Sequence, residues 1–459
     1  MAGKHPSVLL VTIDALRADR LGCYGGSRNL SPRIDALAAE GVRFSRAISR
    51  STHTPESFPA LMASICPLLS VPLTGQGMAR QLPRSIRLIS ESFQDAGYQT
   101  VGIHSNPYLS RAFGYSAGFD TFDDDLKLGG TKLSVQAHRV INRMRARPHM
   151  TAEELNARAL AWFDRYDGHR PFFAWLHYMD VHGPYLPPDE HLRAVRPAGV
   201  KLNERSLAAL WRRAKWHPET VTDDERALLI DLYDAEVRST DTSLGRLLDE
   251  LERRGQLGET VLAITSDHGE EFGEHGRYDH PNDLYEELLR VPLILRLPGQ
   301  ASAGMVHDGV VPTSDLAPTL LEAAKLPREP RHMGRGLLRL VNGGAGHEHV
   351  ICEVTGEFQD EGLRKFAVVT ATHKYETAFS GDQRVRELLR DFRSDPGETR
   401  DFAAEQPDLC RELTGVLDAH LARFHARGEP EPAAVAASAD SDALSAEVEE
   451  RLRGLGYIE

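Results

Sequence analysis

Val261-Leu262-Ala263-Ile264-Thr265-Ser266-Asp267-His268-Gly269-Glu270 begins as an unbroken apolar run and ends in a carboxylate and an imidazole. A run without polar alternation is what a parallel strand needs when helices cover both faces of its sheet. In open α/β sheets ligands bind beyond the carboxyl ends of the strands, so Asp267 and His268 stand where site chemistry belongs. Oxygen and nitrogen donors side by side suit a divalent cation such as Zn or Mn. One such strand end decides little; the weight comes from other strands delivering matching groups.

Three do. Ser7 to Asp14 is a second apolar run ending in a carboxylate, Thr100 to Pro107 ends in His104, Ser105 and Asn106, and Pro171 to Tyr185 breaks into Asp180, His182 and a Gly-Pro turn. Helical periodicity fills the gaps. Ser31-Pro32 reads as a cap and first helical residue, with Ile34, Leu37 and Ala38 on one face. Ala152 to Tyr166 reads as a second helix. Leu229, Leu232, Val237, Leu244, Leu247, Leu248 and Leu251 mark a long one that ends at Gly255 and feeds the Asp267 strand, a β-α-β crossover. The polar stretch from Leu186 to Thr222 reads as an insertion over the site. Asp123 to Asp125 reads as a solvated acidic loop, and residues from about Lys127 to Met150 as basic, polar and peripheral. Leu284 to Arg290 reads as a helix before the strand Val291 to Leu295.

After Gly343 the pattern changes to short strands, among them Lys365 to Thr370 and His373 to Glu376, with a closing helix around Leu409 to Phe424. The expected organisation is a large α/β unit over 1–343, a small α+β unit over 344–428, and a linker and tail over 429–459. Residues 429–446 are rich in Pro, Ala, Ser and Asp, and Glu447 to Leu452 can form an amphipathic helix.

The formal charge of −13 over 459 residues argues against a nucleic-acid or anionic-membrane partner, since a phosphate backbone is repelled on average. Cys23, Cys66, Cys352 and Cys410 have no C-x-x-C spacing, so neither a disulfide framework nor a zinc knuckle is indicated. No apolar run is long enough to span a membrane and no signal-peptide core precedes Ser7, so a cytoplasmic enzyme is the expectation.

Ser51-Thr52-His53-Thr54-Pro55-Glu56-Ser57-Phe58 places hydroxyls before a helix. From this segment alone Thr54 reads as a helix cap, a common use of threonine. With Asp14, Asn106, Asp180, His182, Asp267 and His268, its hydroxyl makes up the parts of a metal-assisted phosphoryl or sulfuryl transfer site.

V-T-I-D-A-L-R-A-D-R-L-G-C-Y-G (11–25), T-S-D-H-G-E-E-F-G-E-H-G (265–276) and L-Y-E-E-L-L-R-V-P-L-I-L (284–295) resemble the sulfatase family within the alkaline phosphatase superfamily. D-V-H-G-P-Y (180–185), G-F-D-T-F-D-D (118–124), R-S-D-P-G-E-T-R-D-F-A (393–403) and R-L-R-G-L-G-Y (451–457) follow in the family's order. The resemblance implies an α/β fold: an alkaline-phosphatase-like mixed β-sheet sandwiched by helices, the catalytic domain of 1–343, with a smaller C-terminal antiparallel sheet subdomain. It also implies a divalent metal ion (Zn, Mn or Ca) on Asp14, Thr54, Asp267 and His268, with Thr54 as nucleophile and His182 as a substrate-side proton donor. Asn106, or else His104, donates to a nonbridging oxygen, and His280 lies near a position where sulfatases often carry a substrate-binding Lys. Arg17 reads as a structural ion-pair partner and His275 as a loop residue. A two-metal site using Asp180, His182 and His280 is the sharper alternative.

The departures count as much as the match. Sulfatases carry a C-x-P-x-R or S-x-P-x-R motif whose first residue becomes formylglycine; here Thr54 aligns with it, Pro55 is shifted by one and Phe58 stands where Arg is usual. Threonine has no route to the aldehyde, so no formylglycine is expected. Relatives in the superfamily that use an unmodified Thr cleave phosphate esters. The reading is therefore a metal-dependent hydrolase of small-molecule phosphate diesters or phosphonate esters, with a sulfuric ester hydrolase and a non-catalytic sulfatase-fold protein as alternatives.

Overall fold

The computed structural model describes residues 5–67, 82–125, 147–300, 302–354, 363–426 and 446–455. The basic stretch after Lys127, as far as residue 146, and the linker up to residue 445 lie outside these.

The opening stretch forms β6 (Thr260–Thr265), and β1 (Ser7–Ile13) lies parallel beside it with Val11 opposite Ile264. On the far side of β1 the parallel series continues through β5 (Phe172–Tyr178), β3 (Gln99–Ile103) and β4 (Thr121–Asp123). On the near side β10 (Leu293–Arg296) runs antiparallel to β6, β2 (Val42–Ile48) antiparallel to β10, and β11 (Met305–Pro312) parallel to β2. The sheet is thus mixed, flanked by helices on both faces, as the resemblance implies.

Why β1 and β6 are apolar throughout is visible in the packing. Leu9, Val11, Leu262 and Ile264 face one core with α1 (Pro32–Glu40), α4 (Ala152–Phe163) and α7 (Asp223–Arg253). Val8, Leu10, Val261 and Ala263 face the other, with α2 (Thr54–Ala63), α3 (Ile89–Asp95) and α8 (Leu316–Ala323). Each alternate side chain meets a different helical layer, and the buried hydroxyls of Thr12 and Thr265 near the strand ends are hydrogen-bonded to His177 and to Pro292 O.

A separate antiparallel sheet joins β12 (Val350–Val354), β13 (Arg364–Val369), β14 (His373–Ser380) and β15 (Gln383–Asp391), and α9 (Pro407–Ala426) packs on it. A last helix, α10 (Ala446–Gly454), returns to the large unit and buries Val448 and Leu452 in the core under β1 and β6.

Several local expectations change. The polar stretch after Leu186 is helical, with α5 (Asp189–Val195) and α6 (Glu204–Trp216), because Leu207, Leu210, Trp211 and Ala214 recur at helical spacing and are buried. The helix expected over Leu284 to Arg290 shrinks to the turn Glu286–Leu289, since Arg290–Val291 (β9) pairs with β2. The acidic loop is not simply solvated: Arg158 pairs with Asp123 and Asp125 at 2.8 and 2.6 Å, and Arg111 with Asp124 at 3.0 Å. All four cysteines are thiols outside any disulfide, and no described helix is long and apolar enough to cross a membrane.

Candidate active site

β1 ends in Asp14, and the next residue, Ala15, turns the chain with φ of 56°. That sharp exit, uncommon for a residue with a side chain, carries the Leu16 N–H onto Ser266 Oγ at 2.9 Å and ties the ends of β1 and β6 together. Asp14, Asp267 and His268 then converge, each offering a donor atom within 4.8 Å of the others, all fully buried. His268 Nε2 lies 3.4 Å from Asp267 and 3.7 Å from Asp14.

Thr54 is not the cap of α2. It is the first helical residue, after His53, and its hydroxyl lies 3.4 Å from His268 Nε2. It also works against the upward push on the Asp267 carboxyl. Pro55 in the first turn suits a helix start, where no N–H partner is lost. Phe58, one turn on, lies edge-on to the His177 ring at 5.0 Å between centroids and 5.6 Å from Trp175, so the position usual for Arg is apolar.

The electrostatics favour a cation. Burial alone would lift Asp14, but the His177 hydrogen bond and the surrounding imidazoles hold it well below the ordinary carboxylate range. Burial, and next the Asp14 charge, push Asp267 up. Burial works against charge on His268, yet Asp267 and Asp14 raise it above the ordinary histidine value. Asp14 Oδ2 receives the Asn106 amide at 2.8 Å and faces His177 Nε2 at 3.2 Å, while buried Oδ1 has no hydrogen-bond partner. His268 Nδ1 donates to Gly269 O at 2.9 Å, which turns Nε2 toward the carboxylates. An orphaned carboxylate oxygen facing an imidazole lone pair fits a divalent cation with mixed O and N ligands.

On the adjoining side His182 and His280 meet, Nε2 to Nε2, at 3.1 Å. Asp279 completes a second ligand-type group with them. Asp180 does not join it: its carboxylate takes the Ala152 N–H at 2.9 Å and pairs with Arg147 at 3.2 Å, which fixes the start of α4 instead. The other placements are as follows. Asn106 is committed through one N–H to Asp14 and through Oδ1 to the Tyr108 N–H. His104 is packed between Phe122 and Trp175, and burial lowers it to about 3. Arg17 pairs with Asp19 and Glu274, and His275 with Glu287.

The sequence reading passed over His177, Asp279, Lys215 and His53. A lone imidazole inside the apolar run Trp175-Leu176-His177-Tyr178 was a signal for the first, and adjacency to His280 one for the second. Lys215, which pairs with Asp279 from α6, and His53, 3.0 Å from His280, carried no signal.

A family model described as Sulfatase matches residues 6–326, and one described as N-sulphoglucosamine sulphohydrolase, C-terminal, matches 273–426. Human arylsulfatase K is 28% identical over 450 residues, which covers 91% of this chain and 82% of that one. Among solved structures, the phosphonate monoester hydrolase of Agrobacterium radiobacter superposes with a TM-score of 0.73 at 19% identity, covering 91% of this chain and 96% of its own. BT4656, solved with its substrate D-glucosamine-2-N,6-O-disulfate, superposes with a TM-score of 0.71 at 20% identity, covering 93% and 99%.

Proposed function

The chain belongs to the sulfatase family, and from that premise we propose that it is a metal-dependent hydrolase of phosphate diesters or phosphonate esters with unmodified Thr54 as nucleophile. The observation that carries the reading is the Thr54 hydroxyl, 3.4 Å from His268 in front of the Asp14–Asp267–His268 group, on a residue that cannot become formylglycine.

Asp14, Asp267, His268 and Thr54 are the residues that would hold a divalent ion. When bound, it neutralises charge on the transferred group and lowers the pKa of the neighbouring hydroxyl. The protein's own groups account for the rest. Thr54 Oγ1 loses its proton to solvent water and attacks phosphorus in line; the Thr54–phosphorus bond forms as the bond to the leaving oxygen breaks, and that oxygen takes a proton from water. Asn106 holds Asp14 and presents its second amide N–H to a nonbridging oxygen. His182 and His280 are assigned to the leaving-group side. His182 Nδ1 donates to Gly183 O at 2.7 Å, which leaves Nε2 as the atom that meets His280 and faces the leaving oxygen. Water then cleaves the Thr54 ester and restores the hydroxyl.

Sulfate ester hydrolysis is the second reading, favoured by the family match itself. A panel of aryl sulfates, phosphate mono- and diesters and phosphonate esters, assayed with Zn, Mn and Ca, separates the two. Preference for phosphodiesters or phosphonates supports the Thr54 reading. Sulfate turnover as the main activity overturns the substrate class, and silence with every metal overturns the hydrolase.

A further inference from the structure

His182 stands in a loop, Asp180 to Leu186, whose two ends are tied to a single guanidinium. Arg147 pairs with Asp180 Oδ1 at 3.2 Å at the start of the loop, and its other terminal nitrogen donates to Leu186 O at the end. That second nitrogen also lies 3.2 Å from Glu236 Oε1 of α7, the oxygen that accepts the Leu186 N–H at 2.8 Å. Asp180 Oδ1 takes the Ala152 N–H at 2.9 Å as well, which draws the start of α4 into the same ring of contacts. Among the described residues, no other side chain hydrogen-bonds both Asp180 and the Leu186 backbone.

The charges show why this ring needs its cation. Asp180 and Glu236 are buried carboxylates, and Arg147 lies between them. Burial pushes the Glu236 carboxyl up to about 7; the Arg147 charge pulls against that, and the Asp180 charge adds to it. Burial raises Asp180 too, again against the pull of Arg147. A buried carboxylate stripped of its partner is strongly destabilising. Without the guanidinium, Asp180 and the Glu236 that holds Leu186 are left to repel each other.

Between the ends of the loop the His182 N–H donates to Met179 O at 3.0 Å, and Nδ1 donates to Gly183 O at 2.7 Å. Gly183 backs onto the Trp211 indole of α6 so closely that a Cβ there would lie 2.0 Å from Nε1. The ring is bonded to the backbone of its own loop, so a shift of the loop is a shift of Nε2, which meets His280 Nε2 at 3.1 Å. His280 is fixed separately. It follows β8 (Tyr278–Asp279), paired with β7 (Glu271–Phe272), and its Nδ1 lies 3.0 Å from His53 Nδ1. We propose that Arg147 is a positioning residue, which with Asp180 and Glu236 holds the span of the loop that brings His182 up to His280. The consequence for turnover rests on the proposed hydrolase reading; the consequence for the loop does not.

Hydrogen exchange of the full-length protein without substrate, read by mass spectrometry, tests the loop. In Arg147→Met the amides from Val181 to Leu186 should exchange at least about 10-fold faster, as expected for the loss of hydrogen bonds to a charged group, while β1 and β6 keep the wild-type rate. Wild-type exchange in the loop overturns the inference. A rise shared equally by β1 and β6 overturns it too, because that marks general destabilisation. Should Arg147→Met misfold, Asp180→Asn, of the same shape, releases the start of the loop and is read in the same way. On the best ester, Arg147→Met should lower kcat by about 10- to 100-fold with KM within about twofold of the wild type. In a His182→Asn background the same substitution should change kcat little further; its full effect there would mean that Arg147 does not act through His182 and would remove the positioning role. If no ester is turned over, the hydrolase reading fails and the exchange result still decides the clamp.

Discussion

Thr54 sits in the first turn of α2, yet its hydroxyl serves no backbone N–H and turns to Asp267 and His268. A hydroxyl at the first helical position that meets a buried imidazole is the strongest residue-level sign of function here. Thr54→Ala should lower turnover of the best ester by at least about 1,000-fold while metal content, counted by mass spectrometry, is retained through Asp14, Asp267 and His268. Turnover at the wild-type rate would remove Thr54 as nucleophile. Asn106 acts one contact further out, through Asp14. Asn106→Ala should weaken metal binding by about 10- to 100-fold in a competition titration, with the unfolding midpoint of the metal-free protein little changed. Asp14, Asp267 and His268 were legible in sequence because each ends an apolar run. Lys215 and His53 were obscured because their partners come from elsewhere in the chain, and no spacing encodes the contact of Lys215 with Asp279 or of His53 with His280.

At the level of elements, α1 and α7 show how a cap can be supplied from a distance. Ser31 occupies the cap position of α1, as its sequence suggests, but its hydroxyl is engaged with the Gly22 N–H and Asp35. Asp241 of α7 accepts the Ile34 N–H at 2.8 Å and the Arg33 N–H at 3.1 Å instead. Asp241→Ala should therefore cost about 1–2 kcal/mol, read from denaturant unfolding. Burial lifts the Asp241 carboxyl from 3.8 to about 6. The native state thus keeps this proton when the unfolded chain has lost it, and the contribution of Asp241 to stability falls as pH rises from about 4 to about 6. Asp241→Asn keeps an acceptor and removes that loss. It should be more stable than the wild type above pH 6, by up to about 3 kcal/mol, and the gain should vanish below pH 4. A gain that persists at pH 3.5 would contradict the burial argument.

Across the whole molecule, the second sheet and the C-terminal helix both reinforce the site unit. Lys365 of β13 reaches Asn282 O at 2.5 Å and Asp283 at 2.8 Å, bracing the loop that follows His280. From the far end of the chain α10 buries Val448 and Leu452 in the large core, Leu455 follows them just past the helix, and Arg451 pairs with Asp125 at 2.8 Å. Leu452→Ala should destabilise the protein by about 2–4 kcal/mol, measured as a lower unfolding midpoint; a change below about 0.5 kcal/mol would mean that α10 does not dock in solution. The Pro- and Ala-rich composition before it says nothing of where the helix beyond goes, since docking depends on distant segments.

The sequence by itself determined the parallel core and three members of the candidate metal group. Continuous apolar runs can be buried only between two helical layers, and the polar residues ending them must gather at one edge. Only the tertiary structure decided which imidazole meets which carboxylate. It drew Asp180 away to Arg147, brought Asp279 to His182 and His280, and freed Thr54 from capping duty, because those pairings depend on crossings between strands and helices far apart in the chain.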